Sequence, residues 1–311
     1  MQKKNFTIIG ENSLEIFGFK YEPETQVKAV VLIVHGMAEH SARYENFASF
    51  LCSNGFACYA YDQRGHGKTA GSIENLGFFA ENKGWEIVVK DLQKVVNTVK
   101  NEHPEKKIFI FGHSMGSFIV RSYISCEFTK VNGVILSASA GSNGFLAKIG
   151  LMLSNIIMIF SGKKSPSPLM NKLSFGAYNN QFKPVKTDFD WLSRDENNVK
   201  KYIEDPYCGT VFSIGFFKDL IWGLEDINLI KTIEKIDKNL PVFFLSGNKD
   251  PVSKNGNQII EIVENFRKAG VLNVEYTLIE NGRHESLNEI NKDEVYKLIL
   301  NVLERFISLT T

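Results

Sequence analysis

The chain has 311 residues and a mass of 35.2 kDa, long enough to bury a core without disulfides or a structural metal, as two domains or as one domain with an insertion. Its 36 lysines and arginines nearly cancel its 35 aspartates and glutamates, and the pI of about 7.6 excludes a nucleic-acid binder working through a broad basic face. With 43% hydrophobic and 23% charged residues it is neither disordered nor collagen-like.

Taken in order, Asn5 to Ile9 and Leu14 to Lys20 read as a hairpin around Gly10-Glu11-Asn12-Ser13. The apolar run Phe6 to Ile9 is too short for a signal-peptide core, so the expected location is cytoplasmic. Ala29 to Val34 is an unbroken apolar run, as in strands buried on both faces of a parallel sheet. A helix over about 42–54 and a strand over Phe56 to Tyr61 follow. The helical spacing of Trp85, Val88, Val89, Leu92, Val95, Val96 and Val99 predicts a helix over 84–103. A strand Lys107 to Phe111, a helix from Met115 to about Cys126 and a strand Val131 to Leu136 complete an alternation that implies right-handed βαβ units.

The pattern breaks over residues 140–222, where strands disappear and Pro166 and Pro168 interrupt. It resumes with a helix near Leu224–Ile236, a strand Pro241 to Leu245, a helix over 255–268, a strand over 272–279 and a helix over about 291–307. The expected organisation is one mostly parallel α/β domain from residues 1–139 and 223–311, carrying a helical cap over 140–222.

Gly112-His113-Ser114-Met115-Gly116 is a G-x-S-x-G motif between a strand and a helix, the setting that a nucleophile elbow requires. A serine nucleophile needs a base, and the base an orienting carboxylate. His284 follows the last predicted strand and Asp250 the one before it, at the carboxyl ends where open α/β sheets place their sites. The order Ser114, Asp250, His284 is that of the α/β-hydrolase triad. The remaining histidines read more plainly: His35 fixes a turn, His66 organises a loop, His113 packs beside the elbow and His103 lies on the surface. His35 and His40 are five apart with no third ligand near in sequence, and the four cysteines form no C-x-x-C pair, so neither a metal site nor a disulfide framework is expected.

These residues resemble the monoacylglycerol lipase and lysophospholipase branch of the α/β-hydrolases. The resemblance rests on His35-Gly36-Met37-Ala38-Glu39-His40 with Arg43-Tyr44, Asp62-Gln63-Arg64-Gly65-His66-Gly67, the elbow, Asp250-Pro251-Val252 and His284-Glu285. Trp191-Leu192-Ser193-Arg194-Asp195 and Asp205-Pro206-Tyr207-Cys208-Gly209 resemble bacterial lysophospholipase-like members. Two departures stand out: Ala38 and Ser117 occupy positions where many members have glycine. The resemblance implies an α/β-hydrolase fold, the triad Ser114, Asp250 and His284, an oxyanion hole from the backbone N–H groups of Met37 and Met115, and no cofactor. It further implies a small acyl ester as substrate, a monoacylglycerol or lysophospholipid. A thioesterase or acyltransferase would use the same triad, and a catalytically silent ligand-binding protein would use the same fold.

Within the insertion, Phe145 to Phe160 is apolar almost all round but short of the ~20 residues that a membrane-spanning helix needs. Two readings stay open: a helix buried in the cap's own core, or a lid touching acyl chains or making transient contact with a lipid surface. Trp191, Tyr207, Phe212, Phe216, Phe217 and Trp222 belong to the same segment and supply either cap core or crevice wall.

Overall fold

The computed structural model describes residues 1–127 and 131–309. Eight strands form one sheet: β1 (Gln2–Ile9), β2 (Glu15–Glu22), β3 (Ala29–Val34), β4 (Phe56–Tyr61), β5 (Ile108–His113), β6 (Gly133–Ser137), β7 (Val242–Gly247) and β8 (Val274–Ile279). Their spatial order is β1-β2-β4-β3-β5-β6-β7-β8. The β1–β2 hairpin and the β2–β4 pair are antiparallel; β3 through β8 run parallel. Parallel pairing demands crossovers, supplied by α1 (Glu45–Ser53), α2 (Gly84–Glu102) and α3 (Met115–Ile124).

The segment between β6 and β7 carries α4 (Phe145–Ser161), α5 (Pro168–Phe175), α6 (Glu196–Glu204), α7 (Ile214–Asp226) and the single turn α8 (Ile230–Ile233). Helix α9 (Asn257–Lys268) joins β7 to β8, and α10 (Lys292–Leu309) ends the described chain. The sheet has a core on each face. Val30, Leu32 and Val34 pack with α2, α3 and α9 residues such as Val88, Ile119 and Ile259, while Ala29, Val31 and Ile33 pack with Phe47 and Leu51 of α1 and Val302 of α10. Burial on both faces is why these strands read as continuous apolar runs.

Two expectations change. The helix expected near Leu224–Ile236 is broken in two: α7 runs through residue 222 and stops at Asp226, where Asn228 turns its amide onto the Leu224 carbonyl (2.7 Å) and accepts from Arg121 (2.7 Å), and only the single turn α8 follows. His103 is not a free surface residue, since its Nε2 lies 2.9 Å from the Tyr59 hydroxyl. Among the described residues, no helix is long and apolar enough to cross a membrane.

Candidate active site

Four strand ends deliver the site. Ser114 stands between β5 and α3 with φ 51° and ψ −122°, a positive-φ conformation that a non-glycine residue holds only when its surroundings enforce it. They do so closely. A Cβ on Gly112 would lie 2.9 Å from the Gly116 carbonyl, and one on Gly116 would lie 2.1 Å from the Val34 carbonyl. The two glycines of the motif are therefore steric requirements of packing α3 against β5 and β3. The Ser114 N–H is tied to the Ser137 carbonyl on β6 (2.9 Å).

The elbow brings together the three residues expected of a triad. His284 Nε2 lies 2.9 Å from Ser114 Oγ, and His284 Nδ1 lies 3.0 Å from Asp250 Oδ1. Asp250 is fully buried and also accepts from the Val252 N–H (2.9 Å) and the Ser246 hydroxyl (3.2 Å). With Nδ1 directed at a carboxylate, the proton of neutral His284 sits on Nδ1 and Nε2 is free to accept from the serine. Burial pulls the imidazole pKa down, but the charge and hydrogen bond of Asp250 more than offset this, so it stands above the usual 6.5. Ser114 stays partly exposed while its two partners are buried.

Met37 follows His35-Gly36 at the end of β3, and Met115 is the first residue of α3. Among the described residues, neither backbone N–H donates to a protein acceptor. The loop carrying Met37 is built from its neighbours. His35 is buried and accepts from the Gln63 N–H at Nε2 (2.9 Å), so Nδ1 donates to the Gly36 carbonyl (2.7 Å), and burial lowers its pKa to about 4. Glu39 accepts from the Gly36 N–H (2.6 Å) and the Tyr44 hydroxyl (2.8 Å). Its other oxygen accepts from Arg43 (2.7 Å), and Arg43 makes two 2.7 Å bonds to Glu285, next to His284. Arg43 thus ties the β3 loop to the β8 loop. Despite burial, Arg43 holds the Glu39 carboxyl below its usual range.

The two departures from the family pattern also take on shape. Ala38 has φ 56°, a region glycine enters without penalty, and is held there by the Tyr202 hydroxyl and the Gly209 N–H, both donating to its carbonyl (2.9 and 3.0 Å). Ser117 turns its hydroxyl back onto the Ser114 carbonyl (2.6 Å). His66 is a buried loop organiser bonded through Nδ1 to the Arg64 carbonyl (3.0 Å), and the His113 ring packs 4.9 Å from that of His284.

Glu39, Arg43 and Glu285 stand in the sequence motifs without a role that the motifs reveal, and from sequence Trp191 fits either cap core or crevice wall. Trp191 packs its ring 5.0 Å from that of His284, and its carbonyl accepts the His284 N–H (3.4 Å) while the Leu192 carbonyl accepts that of Glu285 (2.7 Å). Arg194 completes this clasp through the fully buried Glu289 (2.8 Å). Phe212, Phe216 and Phe217 join the main core, whereas Trp222 is 44% exposed. Around His40 the fold gathers side chains from far along the chain, with Asp205 Oδ2 2.8 Å from His40 Nε2 and Cys208 beside them.

Helix α4 is not buried all round. Leu153, Ile157 and Met158 pack inward, while Phe145, Leu146, Met152, Ile156, Ile159 and Phe160 are exposed, Phe160 by 86%. A separate groove of about 730 Å³, lined in part by Arg64, Phe79, Lys83 and Lys90, touches none of the triad.

Comparison with known proteins identifies the family. The family described as Serine aminopeptidase, S33 matches residues 25–291. A monoglyceride lipase homolog of Monkeypox virus is 27% identical over 291 residues, covering 92% of each chain. The monoglyceride lipase of Rattus norvegicus is 26% identical over 250 residues, covering 78% of this chain and 72% of its own. A thermostable carboxyl esterase from Bacillus coagulans, solved with glycerol, superposes with a TM-score of 0.90 at 25% identity over 99% of both chains. On the extent of that family match, the chain belongs to the serine aminopeptidase S33 family, in the monoacylglycerol lipase-like branch of the α/β-hydrolases.

Proposed function

We propose that the protein hydrolyses single-chain acyl esters, monoacylglycerols or lysophospholipids, through Ser114, His284 and Asp250, with residues 140–222 acting as a cap over the site. The observation carrying this reading is the unbroken relay from Asp250 Oδ1 through His284 to Ser114 Oγ, with contacts of 3.0 and 2.9 Å. Ser114 Oγ attacks the acyl carbonyl as Nε2 takes its proton, and Asp250 stabilises the imidazolium. The tetrahedral oxyanion accepts from the N–H groups of Met37 and Met115, each worth about 10²–10³ in rate. Collapse breaks the ester bond, the alcohol leaves with the proton held on Nε2, and water then hydrolyses the acyl-serine by the same sequence.

Ester substrates are favoured over aminopeptidase chemistry by the charges around the site. Glu39 and Glu285, the two carboxylates beside His113 and His284, are both engaged by Arg43 and so are not free to hold a peptide α-ammonium. The exposed apolar face of α4 suits a substrate presented at a lipid surface. The test is labelling with a fluorophosphonate followed by peptide mapping, then turnover of a monoacylglycerol, a lysophosphatidylcholine, an acyl thioester and an aminoacyl amide. Label on Ser114 with the first two substrates fastest is expected. Label on another serine would refute the nucleophile, and preference for the thioester or amide would refute the substrate class.

A further inference from the structure

At the seam between the inserted segment and the loop carrying Met37 lies a group of side chains that the hydrolytic reading does not use. His40 comes from the loop after β3; Asp205 and Cys208 come from the turn after α6. His40 Nε2 stands 2.8 Å from Asp205 Oδ2, and one ligand atom from each of the three residues lies within 4.8 Å of the others. Ligand atoms around a tetrahedral zinc ion stand about 3.5 Å apart, given bonds of ~2.0–2.3 Å, so small rotamer adjustments would close the set. The geometry points to a binding site for one thiophilic divalent cation, for which Zn²⁺ is the best match, held by His40, Asp205 and Cys208.

The arrangement around these atoms supports the assignment. Asp205 and Cys208 are presented by one turn, closed by the Cys208 N–H on the Asp205 carbonyl (3.0 Å), and the Tyr207 N–H holds Asp205 Oδ1 (2.9 Å), which leaves Oδ2 turned toward His40. The Tyr207 ring packs edge-on against the His40 ring at 5.7 Å, limiting its rotation. Two ligands from a short turn and a third from a distant loop is a common way to build zinc sites. The carboxylates of Asp205, Glu39 and Glu285 lie near Cys208, with the Arg43 guanidinium among them. The His40 and Asp205 side chains are 14% and 29% exposed, while Cys208 lies deeper, on the inner side of the group. An imidazole, one carboxylate and a thiol select zinc over magnesium or calcium, which need several oxygen ligands. Coordination replaces the thiol proton, so uptake of one Zn²⁺ releases one H⁺ from Cys208, and a solvent water fills the fourth position.

The site can be read without turnover, so its failure is distinct from failure of the proposed hydrolysis. Chelator-treated full-length protein is dialysed against ZnCl₂ and assayed for bound zinc, and is titrated in parallel with Co²⁺ to follow thiolate-to-cobalt charge-transfer absorption. About one ion per chain with a thiolate band is expected, and Cys208→Ser should abolish the band and weaken zinc binding roughly tenfold or more. Asp205→Asn should weaken zinc while keeping the band, which serves as the second reading should Cys208→Ser fold poorly. Bound zinc should also slow maleimide modification of Cys208 in the wild type, mapped by mass spectrometry, while leaving Cys126 unaffected. Absence of the thiolate band, zinc affinity unchanged in both variants, or protection of Cys126 in place of Cys208 would each overturn the assignment.

Discussion

Gly116→Ala tests whether the elbow's packing sets the rate. A Cβ at residue 116 would stand 2.1 Å from the Val34 carbonyl oxygen, and real Cβ atoms essentially never come under 3.0 Å, so the two backbones must part by at least 0.9 Å. Neither side is a flexible side chain: Val34 is the last residue of β3, and Gly116 lies in the first turn of α3. The movement must therefore carry the start of α3, and with it Ser114 Oγ and the Met115 N–H, away from His284 and Met37. A misplacement near 1 Å costs about 10² in rate, and overpacking costs roughly 1–3 kcal/mol in stability. The assay is kcat on a soluble short-chain p-nitrophenyl ester, paired with the melting temperature. Gly71→Ala is the control, since Gly71 has φ 79° but nothing within 4 Å of the added carbon. It should lose stability through backbone strain and keep kcat. A folded Gly116→Ala enzyme with wild-type kcat, or equal rate losses in the two variants, would refute the reasoning.

Because Asp250 raises the pKa of His284 and the proposed reaction needs the neutral ring, the acid limb of the wild-type kcat/KM profile should lie above pH 6.5. Asp250→Asn removes the raising charge while burial remains, so the limb should move to lower pH and kcat should fall about 10⁴-fold; a limb that stays in place would disprove the coupling. Arg43→Met leaves Glu39 and Glu285 buried without a counter-charge and should destabilise the fold by about 3–5 kcal/mol in urea unfolding; a loss below about 1 kcal/mol would contradict the bridge. Met152 and Phe160 are 59% and 86% exposed, so Met152→Asp and Phe160→Asp should leave the melting temperature and acetyl-ester turnover unchanged. Each should reduce binding to phospholipid vesicles roughly tenfold to a hundredfold, from the ~1.5–3 kcal/mol of a buried apolar side chain, and undiminished vesicle binding would rule out lipid contact by α4.

What was legible in the sequence follows from where the determining interactions lie. The runs Ala29–Val34 and Phe56–Tyr61 match β3 and β4 to the residue, because strands buried on both faces write their limits as unbroken apolar letters. The elbow was readable because its constraints, a strand, two glycines and a helix start, are all local. The end of α7 was not, since Asn228 is recruited by Arg121, 107 residues away. Helix α4 was ambiguous because its apolar residues greatly outnumber those that α7 and the core can cover, and composition does not say which face is left bare. The Glu39–Arg43–Glu285 bridge links residues 242 apart, and the partners of His40 lie 165 residues on or more. Such groupings have no signature until the sheet places its loops side by side.

The hydrogen bonds from the His284 and Glu285 amides to the Trp191 and Leu192 carbonyls bear on how the molecule could be re-engineered. An insertion joined to its host only at its two chain ends could be exchanged or excised as a module. Here residues 191–194 instead act as part of the mould that holds the imidazole, through those amides, the Trp191 ring and the Arg194–Glu289 pair. Cutting out residues 140–222 would strip His284 of its backing even though Ser114, Asp250 and His284 all remained. Chimeras that exchange acyl preference between relatives would therefore best graft the stretch from α4 to α5 and keep 189–209 native.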